Sequence, residues 1–87
     1  MKIIILPKAE KQLRKLTKLD QIVISRKIRM IGESVLSGEE KLSGFSNIYR
    51  IRVGNYRIVY RKIHLTCWIV LIGHRRDIYR MVKDLLG

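Results

Sequence analysis

The feature that most constrains the fold is a change of hydrophobic period on either side of Gly54-Asn55. Residues 48–53 and 56–61 alternate between two sets of side chains, as they do in a β-strand whose successive side chains point to opposite faces. Glycine at the first position of a two-residue loop suits a type II′ turn, which needs a positive φ there. The pattern therefore predicts a β-hairpin whose register is set by the turn.

The predicted register places four arginines on one face of this hairpin, and the tyrosines with most of the apolar side chains on the other. It brings Arg52 opposite Arg57, although like charges in that position destabilise a sheet by up to about 1 kcal/mol. A bound anion would relieve the repulsion, whereas the plainer alternative is a solvated strand face rich in arginine. The four residues are Arg50, Arg52, Arg57 and Arg61.

Two helices are predicted before the hairpin. An apolar run at residues 3–6, followed by a proline that the first turn of a helix tolerates, predicts a first strand. Apolar residues at helical spacing mark a helix over residues 8–16. Thr17 and Asp20 form a capping-box pattern that starts a second helix, which is predicted to run to Gly38. The apolar face of that helix carries Ile24, Ile28, Ile31 and Val35.

A strand and a helix are predicted after the hairpin. The unbroken apolar run from Cys67 to Gly73 is typical of a central strand covered on both faces, and Trp68 is expected in the core there. Asp77 stands where it can cap a final helix. The predicted order is β-α-α-β-β-β-α. The sequence thus predicts one α+β domain over residues 1–87, a small and mainly antiparallel sheet with an N-terminal helical hairpin on one face and a C-terminal helix.

The charge of the chain points to a polyanionic partner. Nineteen Lys and Arg against seven Asp and Glu give a net charge of +12. Eight basic residues and no carboxylate lie between Lys41 and Arg76, so this half of the chain cannot neutralise itself. The longest apolar run is far shorter than the roughly 18 residues that a membrane span needs, and residues 3–6 are too short for a signal-peptide core. A cytoplasmic protein with no membrane partner is expected.

A second basic cluster, Gly73-His74-Arg75-Arg76, lies where the central strand passes into the last helix. Junctions of this kind present backbone N–H groups and a positive helix end to phosphate. Tyr79 follows in the first helical turn. If the strand order brings this cluster to the hairpin arginines, the surface offers guanidinium groups for phosphate, an imidazole, and a phenol ring for base stacking.

This basic half of the chain lacks the catalytic residues that most enzyme classes need. It has no paired carboxylates, no cluster of metal ligands and no Gly-rich phosphate loop, and Cys67 is the only cysteine. RNA cleavage needs none of these, because the 2′-OH of the substrate is the nucleophile and the protein has only to orient it, stabilise the phosphorane and move protons. Neither a metal nor a cofactor is expected. The residues alone leave open a ribonuclease and a passive RNA-binding domain.

The sequence resembles the RelE/ParE superfamily of bacterial and archaeal toxins, and within it the RelE-type messenger-RNA interferases. The resemblance rests on the Lys41-Leu42-Ser43-Gly44 loop, the hairpin at residues 49–60 and the segment from Gly73 to Tyr79. It implies an endoribonuclease that inhibits translation by cutting mRNA in the ribosomal A site. It also implies a RelE-like fold and a cognate RelB-like antitoxin that holds the toxin inactive.

The resemblance also implies roles for particular residues. Arg57 matches the hairpin arginine that holds the scissile phosphate, Arg75 matches a general acid or leaving-group stabiliser, and Tyr79 matches a tyrosine that stacks on the substrate nucleotide. Arg50 and Arg52 stand where the best-known members carry lysines, one of them a proposed base. Arginine is a poor general base, because it is not deprotonated at accessible pH.

His74 is then the candidate for proton transfer with an ordinary pKa near neutrality, and its alternative is a structural or phosphate-contacting role. Arg61, Arg76 and Lys41 are predicted to bind RNA. Two other functions stay open at this point. One is a ParE-like toxin that inhibits DNA gyrase and lacks the ribonuclease residues, and the other is a non-enzymatic RNA-binding domain.

Overall fold

The computed structural model describes residues 1–34 and 37–87, which form three helices and a five-stranded mixed sheet. None of the described helices is long and apolar enough to cross a membrane. In chain order the elements are β1 (Lys2–Ile5), α1 (Pro7–Arg14), α2 (Lys18–Gly32), β2 (Glu40–Lys41), β3 (Ile48–Val53), β4 (Tyr56–Ile63), β5 (Thr66–His74) and α3 (Ile78–Leu86).

The strand order is β1-β5-β4-β3-β2, with β1 parallel to β5 and every other pair antiparallel. One core layer lies between the sheet and the helical hairpin α1–α2, and a second lies between the sheet and α3. The predicted α+β architecture is therefore confirmed. β5 is covered on both faces, which explains why its sequence lacks alternation.

The predicted hairpin and its register are confirmed. Arg52 pairs with Arg57, and Val53 pairs with Tyr56 across the two-residue turn. Gly54 has a φ of 58°, as the first position of a type II′ turn requires. The tyrosines face the helical hairpin as predicted, with Tyr60 fully buried.

The prediction for the end of α2 was wrong. The helix ends at Gly32, because Ser34 takes a left-handed φ of 58° that an α-helix cannot continue. Val35, which was expected on its apolar face, lies outside the described residues. At its start the helix follows the prediction, since the Thr17 hydroxyl accepts a hydrogen bond from the Asp20 backbone N–H at 3.2 Å.

The short edge strand β2 is a further departure from the predicted order, which had a loop there. Two neighbouring glutamates attach this segment to the sheet. Glu39 accepts hydrogen bonds from Tyr60 and Lys62, and Glu40 pairs with Arg50. Because these partners lie 10 to 23 residues away in the sequence, the local sequence pattern does not predict them.

A β-bulge in β5 decides which residues face the second core layer. Tyr60 pairs with Ile69 and Val59 pairs with Leu71, so Val70 is the extra residue. The bulge shifts the alternation of β5 by one residue. Gly73 therefore pairs with Arg57 on the face covered by α3, where a register without the bulge would place Ile72.

Two smaller expectations also need correction. Trp68 was expected in the core, but it is only partly buried and lines a surface groove with Leu6 and Arg61. Asp77 does occupy the N-cap position of α3. Its side chain makes no capping hydrogen bond and instead accepts one from Arg80 at 3.4 Å.

Candidate active site at the hairpin turn

The hairpin turn holds the guanidinium of Arg57 in a buried position. Arg57 is only 9% exposed, and its Nη1 donates to the carbonyl oxygens of Gly54 at 3.1 Å and Tyr56 at 2.8 Å. Its Nε is buried and has no hydrogen-bond partner among the described residues. A buried N–H without a partner is costly, and a charged acceptor could satisfy it only after the surrounding side chains move to admit it.

Arg57 lies between two cross-strand neighbours, one of which adds positive charge beside it while the other leaves space. Across β3 its neighbour is Arg52, which is exposed, and across β5 its neighbour is Gly73. A Cβ atom at Gly73 would lie 3.0 Å from the Met81 Sδ and 3.3 Å from the Ile78 Cδ1. Glycine at this position therefore lets α3 pack directly against the sheet next to Arg57.

The strand order brings the second basic cluster to the same turn. The Arg75 backbone N–H donates to the Asn55 carbonyl at 2.7 Å, which ties the β5–α3 junction to the hairpin. The side chains of Arg75 and Arg76 are exposed, and Tyr79, 49% exposed, lies in the first turn of α3. The structure therefore brings Arg52, Arg57 and this junction to one end of the sheet.

Arg50 lies further along β3 and is already paired. It is 6% exposed, and its Nη2 donates to the Glu40 Oε2 at 2.7 Å. Its Nη1 is buried without a partner within the described ranges. Sequence reasoning missed Glu40 because the stretch without carboxylates was taken to begin at Lys41. Glu40 is the residue immediately before that stretch, so looking one residue further towards the N-terminus would have found it.

Two of the predicted RNA-binding residues lie away from the turn. Arg61 shares a face with Arg57, but four residues of β4 place it about 13 Å away along the strand, beside Trp68. Lys41 pairs with Tyr49 and so lies on the opposite face of the sheet from Arg57. Sharing a strand or a loop with the site does not bring either residue to it.

His74 also projects from the opposite face to Arg57, because it pairs with Tyr56. Its ring lies edge-on to the Tyr56 ring, with centroids 5.9 Å apart. The His74 Nδ1 accepts a hydrogen bond from the Arg76 backbone N–H at 3.2 Å. The imidazole N–H is therefore at Nε2. His74 therefore reaches the arginines only around the end of the sheet.

The two side chains with shifted pKa values lie away from this site, in the first core layer. Burial raises the pKa of the Cys67 thiol to about 11, so it is neutral and unreactive at physiological pH. Burial also raises the pKa of Tyr60, with a further contribution from its hydrogen bond to Glu39. Neither group is a candidate for proton transfer to RNA.

The site has a strong positive charge. Within residues 1–34 and 37–87, no carboxylate lies at salt-bridge distance from Arg52, Arg57, Arg75 or Arg76. The same residues contain no group of three or more His, Cys, Asp or Glu side chains placed to hold a metal ion. The arrangement is suited to hold a phosphate group by guanidinium and backbone donors.

We expect millimolar phosphate to raise the melting temperature more than chloride at equal ionic strength. At equal ionic strength the two salts screen charge equally, so only their binding to the folded state differs. Phosphate at ten times its dissociation constant stabilises the folded state by about 1.4 kcal/mol, which raises the melting temperature by roughly 5–10 °C. Differential scanning fluorimetry measures this shift. Arg57→Gln should abolish it and Arg61→Gln should not. An equal shift in both variants would mean that phosphate does not bind at the turn.

Comparison with known families places this site in context. A family model described as the ParE toxin of type II toxin-antitoxin systems, parDE, matches residues 3–79. The chain belongs to the ParE toxin family. The resemblance to the RelE/ParE superfamily seen in the sequence is thereby confirmed. No curated protein matches the sequence significantly.

Several solved structures of RelE proteins are similar to this toxin. The isolated E. coli RelE toxin is 26% identical, with 98% of each chain covered and a TM-score of 0.73. An E. coli RelE double mutant in the free state is 25% identical over 98% of this chain and 97% of that one, with a TM-score of 0.76. The RelB-RelE antitoxin-toxin complex of Methanococcus jannaschii gives 27% identity, coverage of 90% and 96%, and a TM-score of 0.67. The toxin therefore has the RelE fold and is of RelE type.

Proposed function

We propose that this toxin is a ribosome-dependent endoribonuclease that cuts mRNA and so inhibits translation. The observation that carries the proposal is the buried Arg57 guanidinium, which is fixed by two turn carbonyls and has an Nε without a partner. A fixed donor that is already desolvated interacts more strongly with developing negative charge than an exposed one. The fully exposed arginines of a passive RNA-binding surface have no need of this arrangement.

In the proposed reaction the 2′-OH of one nucleotide attacks the adjacent phosphorus, and the bond from phosphorus to the 5′-oxygen breaks. The products are a 2′,3′-cyclic phosphate and a free 5′-OH. Arg57 stabilises the negative charge that develops on the phosphorane oxygens. Arg75 stabilises or protonates the leaving 5′-oxygen, and Tyr79 stacks on the nucleotide.

Two protons move in this reaction, one from the 2′-OH and one to the 5′-oxygen. Arg52 contributes positive charge, Arg50 is already paired with Glu40, and neither guanidinium accepts the proton. Proton transfer by His74 requires the RNA to cross the hairpin turn, since the imidazole and Arg57 project from opposite faces. The exposed Arg76 contacts the RNA backbone in this proposal.

An antitoxin is the proposed protein partner. Three of the similar solved structures are RelBE or RelB-RelE toxin-antitoxin complexes. On this chain the outer face of α2 exposes Leu19 at 70%, and Ile22, which is 49% exposed, lines a groove of about 290 Å³ together with Lys18 and Arg29. An amphipathic helix with acidic residues at its margins would fit this surface by apolar contact and by charge.

Inhibition of DNA gyrase is the second candidate function, because the family model that matches the chain is that of ParE toxins. ParE-type gyrase inhibitors share the fold without the ribonuclease residues. The presence of Arg57, Arg75 and Tyr79 favours RNA cleavage. Both candidates use the same fold and an antitoxin, so only the target separates them.

Induced expression followed by primer extension distinguishes the two functions. We expect breaks in translated messages within seconds to minutes, and none in a matched message whose start codon is removed. Gyrase inhibition would instead leave both messages intact and produce cleaved chromosomal DNA. Breaks in both messages would indicate a ribonuclease that does not need the ribosome.

A further inference from the structure

The end of β5 that reaches the hairpin turn has a strand along only one of its edges. On one side β4 pairs with β5 as far as His74, whereas on the other side β1 stops at Ile5, opposite Ile69. From Val70 onwards, the described residues therefore place no strand along the second edge. Backbone N–H groups that face this edge need acceptors from elsewhere, because a buried N–H without a partner is costly.

A side chain of α1 takes the place of the missing strand. The Gln12 Oε1 accepts a hydrogen bond from the Ile72 backbone N–H at 2.8 Å, across 60 residues of sequence. Ile72 is 2% exposed, so its N–H has little access to water as an alternative partner. The bulge at Val70 already interrupts the ladder between β4 and β5 close by, which makes this segment more dependent on the bond to Gln12.

This hydrogen bond lies next to the residues that shape the candidate active site. Gly73 follows Ile72 directly and pairs with Arg57, and its lack of a side chain lets α3 pack closely at that point. Arg75 comes two residues after Gly73, and its backbone N–H donates to the Asn55 carbonyl at 2.7 Å. A movement of β5 at Ile72 would therefore displace both Gly73 and Arg75 relative to the hairpin turn.

We propose that Gln12 is a positioning residue for RNA cleavage, which holds the end of β5 so that Arg75 keeps its place relative to Arg57. Gln12 contacts neither the RNA nor the reacting atoms, and it acts through the β5–α3 junction. A displacement of about 1 Å in groups that must be aligned for reaction can lower the rate by up to about a hundredfold. The inference rests on the proposed RNA cleavage, and it adds a residue from α1, an element that contributes nothing else to the site.

Hydrogen exchange measured by NMR tests whether Gln12 holds the junction, without any cleavage assay. Gln12→Met keeps the length of the side chain but removes the acceptor. We expect it to speed exchange of the Ile72 and Arg75 amides at least about tenfold relative to the Ile58 amide in the centre of the sheet, and this reference removes the effect of global stability. Gln12→Glu keeps an acceptor oxygen and should preserve most of the protection. Unchanged relative exchange in Gln12→Met would overturn the proposal.

Steady-state cleavage on programmed ribosomes separates positioning from a loss of stability. Gln12→Met should lower kcat by about tenfold and leave KM nearly unchanged, because the substrate still binds while the reacting groups are misplaced. Gln12→Glu should recover most of the wild-type kcat. Thr17→Val is the matched control, since it removes the hydrogen bond at the start of α2 and leaves β5 alone. It should lower the melting temperature to a similar degree without a change in kcat.

Double variants test whether Gln12 acts through the junction. In an Arg75→Ala background, Gln12→Met should lower kcat little further, whereas in an Arg61→Ala background its effect should be undiminished. Full additivity with Arg75→Ala, or a wild-type kcat in Gln12→Met, would refute the positioning role and leave the proposed function standing. If the wild-type toxin cuts no message, the proposed function fails, while the exchange of the Ile72 and Arg75 amides still decides whether Gln12 holds the junction.

Discussion

Replacing Arg57 with alanine is expected to lower the kcat for cleavage of ribosome-bound mRNA by about 10²–10³-fold. The guanidinium is 9% exposed and is held by two carbonyl oxygens, so it needs no reorganisation to bind a phosphorane. Single-turnover assays on programmed ribosomes measure the chemical step without product release.

Matched variants separate this role from general positive charge. Arg61→Ala removes an arginine from the same face of the same strand, about 13 Å from the turn, and should reduce kcat only slightly. Arg57→Lys keeps the charge but loses the planar donor fork, and we expect most of the loss to remain. Melting temperatures of all three variants show whether the fold is intact. A loss of tenfold or less in the folded Arg57→Ala protein would remove Arg57 from the reaction.

The hairpin was predictable because its determinants are local. Gly54 with Asn55 selects the turn, the turn fixes the register, and the register decides which arginines share a face. The start of α2 at Thr17 follows from a local capping pattern in the same way. Strand order is not local, but β5 lies next to β4, which brings the Arg75 junction to the turn.

The parts that could not be predicted depend on contacts between distant segments. The edge strand β2 is attached to the sheet because Tyr60 and Lys62 bind the Glu39 carboxylate just before it and Arg50 binds the Glu40 carboxylate. The bulge at Val70 places His74 on the face away from Arg57, and an uninterrupted apolar run gives no sign of a bulge. A sequence shows which residue types are present at these positions but not which partners the fold gives them.

The four hairpin arginines illustrate the difference between sharing a face and sharing a site. The face assignment follows from alternation, yet Arg50 is neutralised by Glu40 and Arg61 lies at the far end of β4. Only Arg52 and Arg57 lie directly opposite each other beside the turn. The proposed phosphate site therefore depends on this pair and on the β5–α3 junction, rather than on the whole face.

The most direct test of the account is cleavage of a message that carries a single 2′-deoxynucleotide on the 5′ side of the cleaved bond. The proposed nucleophile is the 2′-OH of that nucleotide, so the modified message lacks the reacting group. Purified toxin is added to ribosomes programmed with the modified message or with its all-ribose control. We predict that the control is cut in the A site to a 2′,3′-cyclic phosphate, and that the modified message stays intact. Cleavage of the deoxy-substituted message at the same bond and rate would contradict the account.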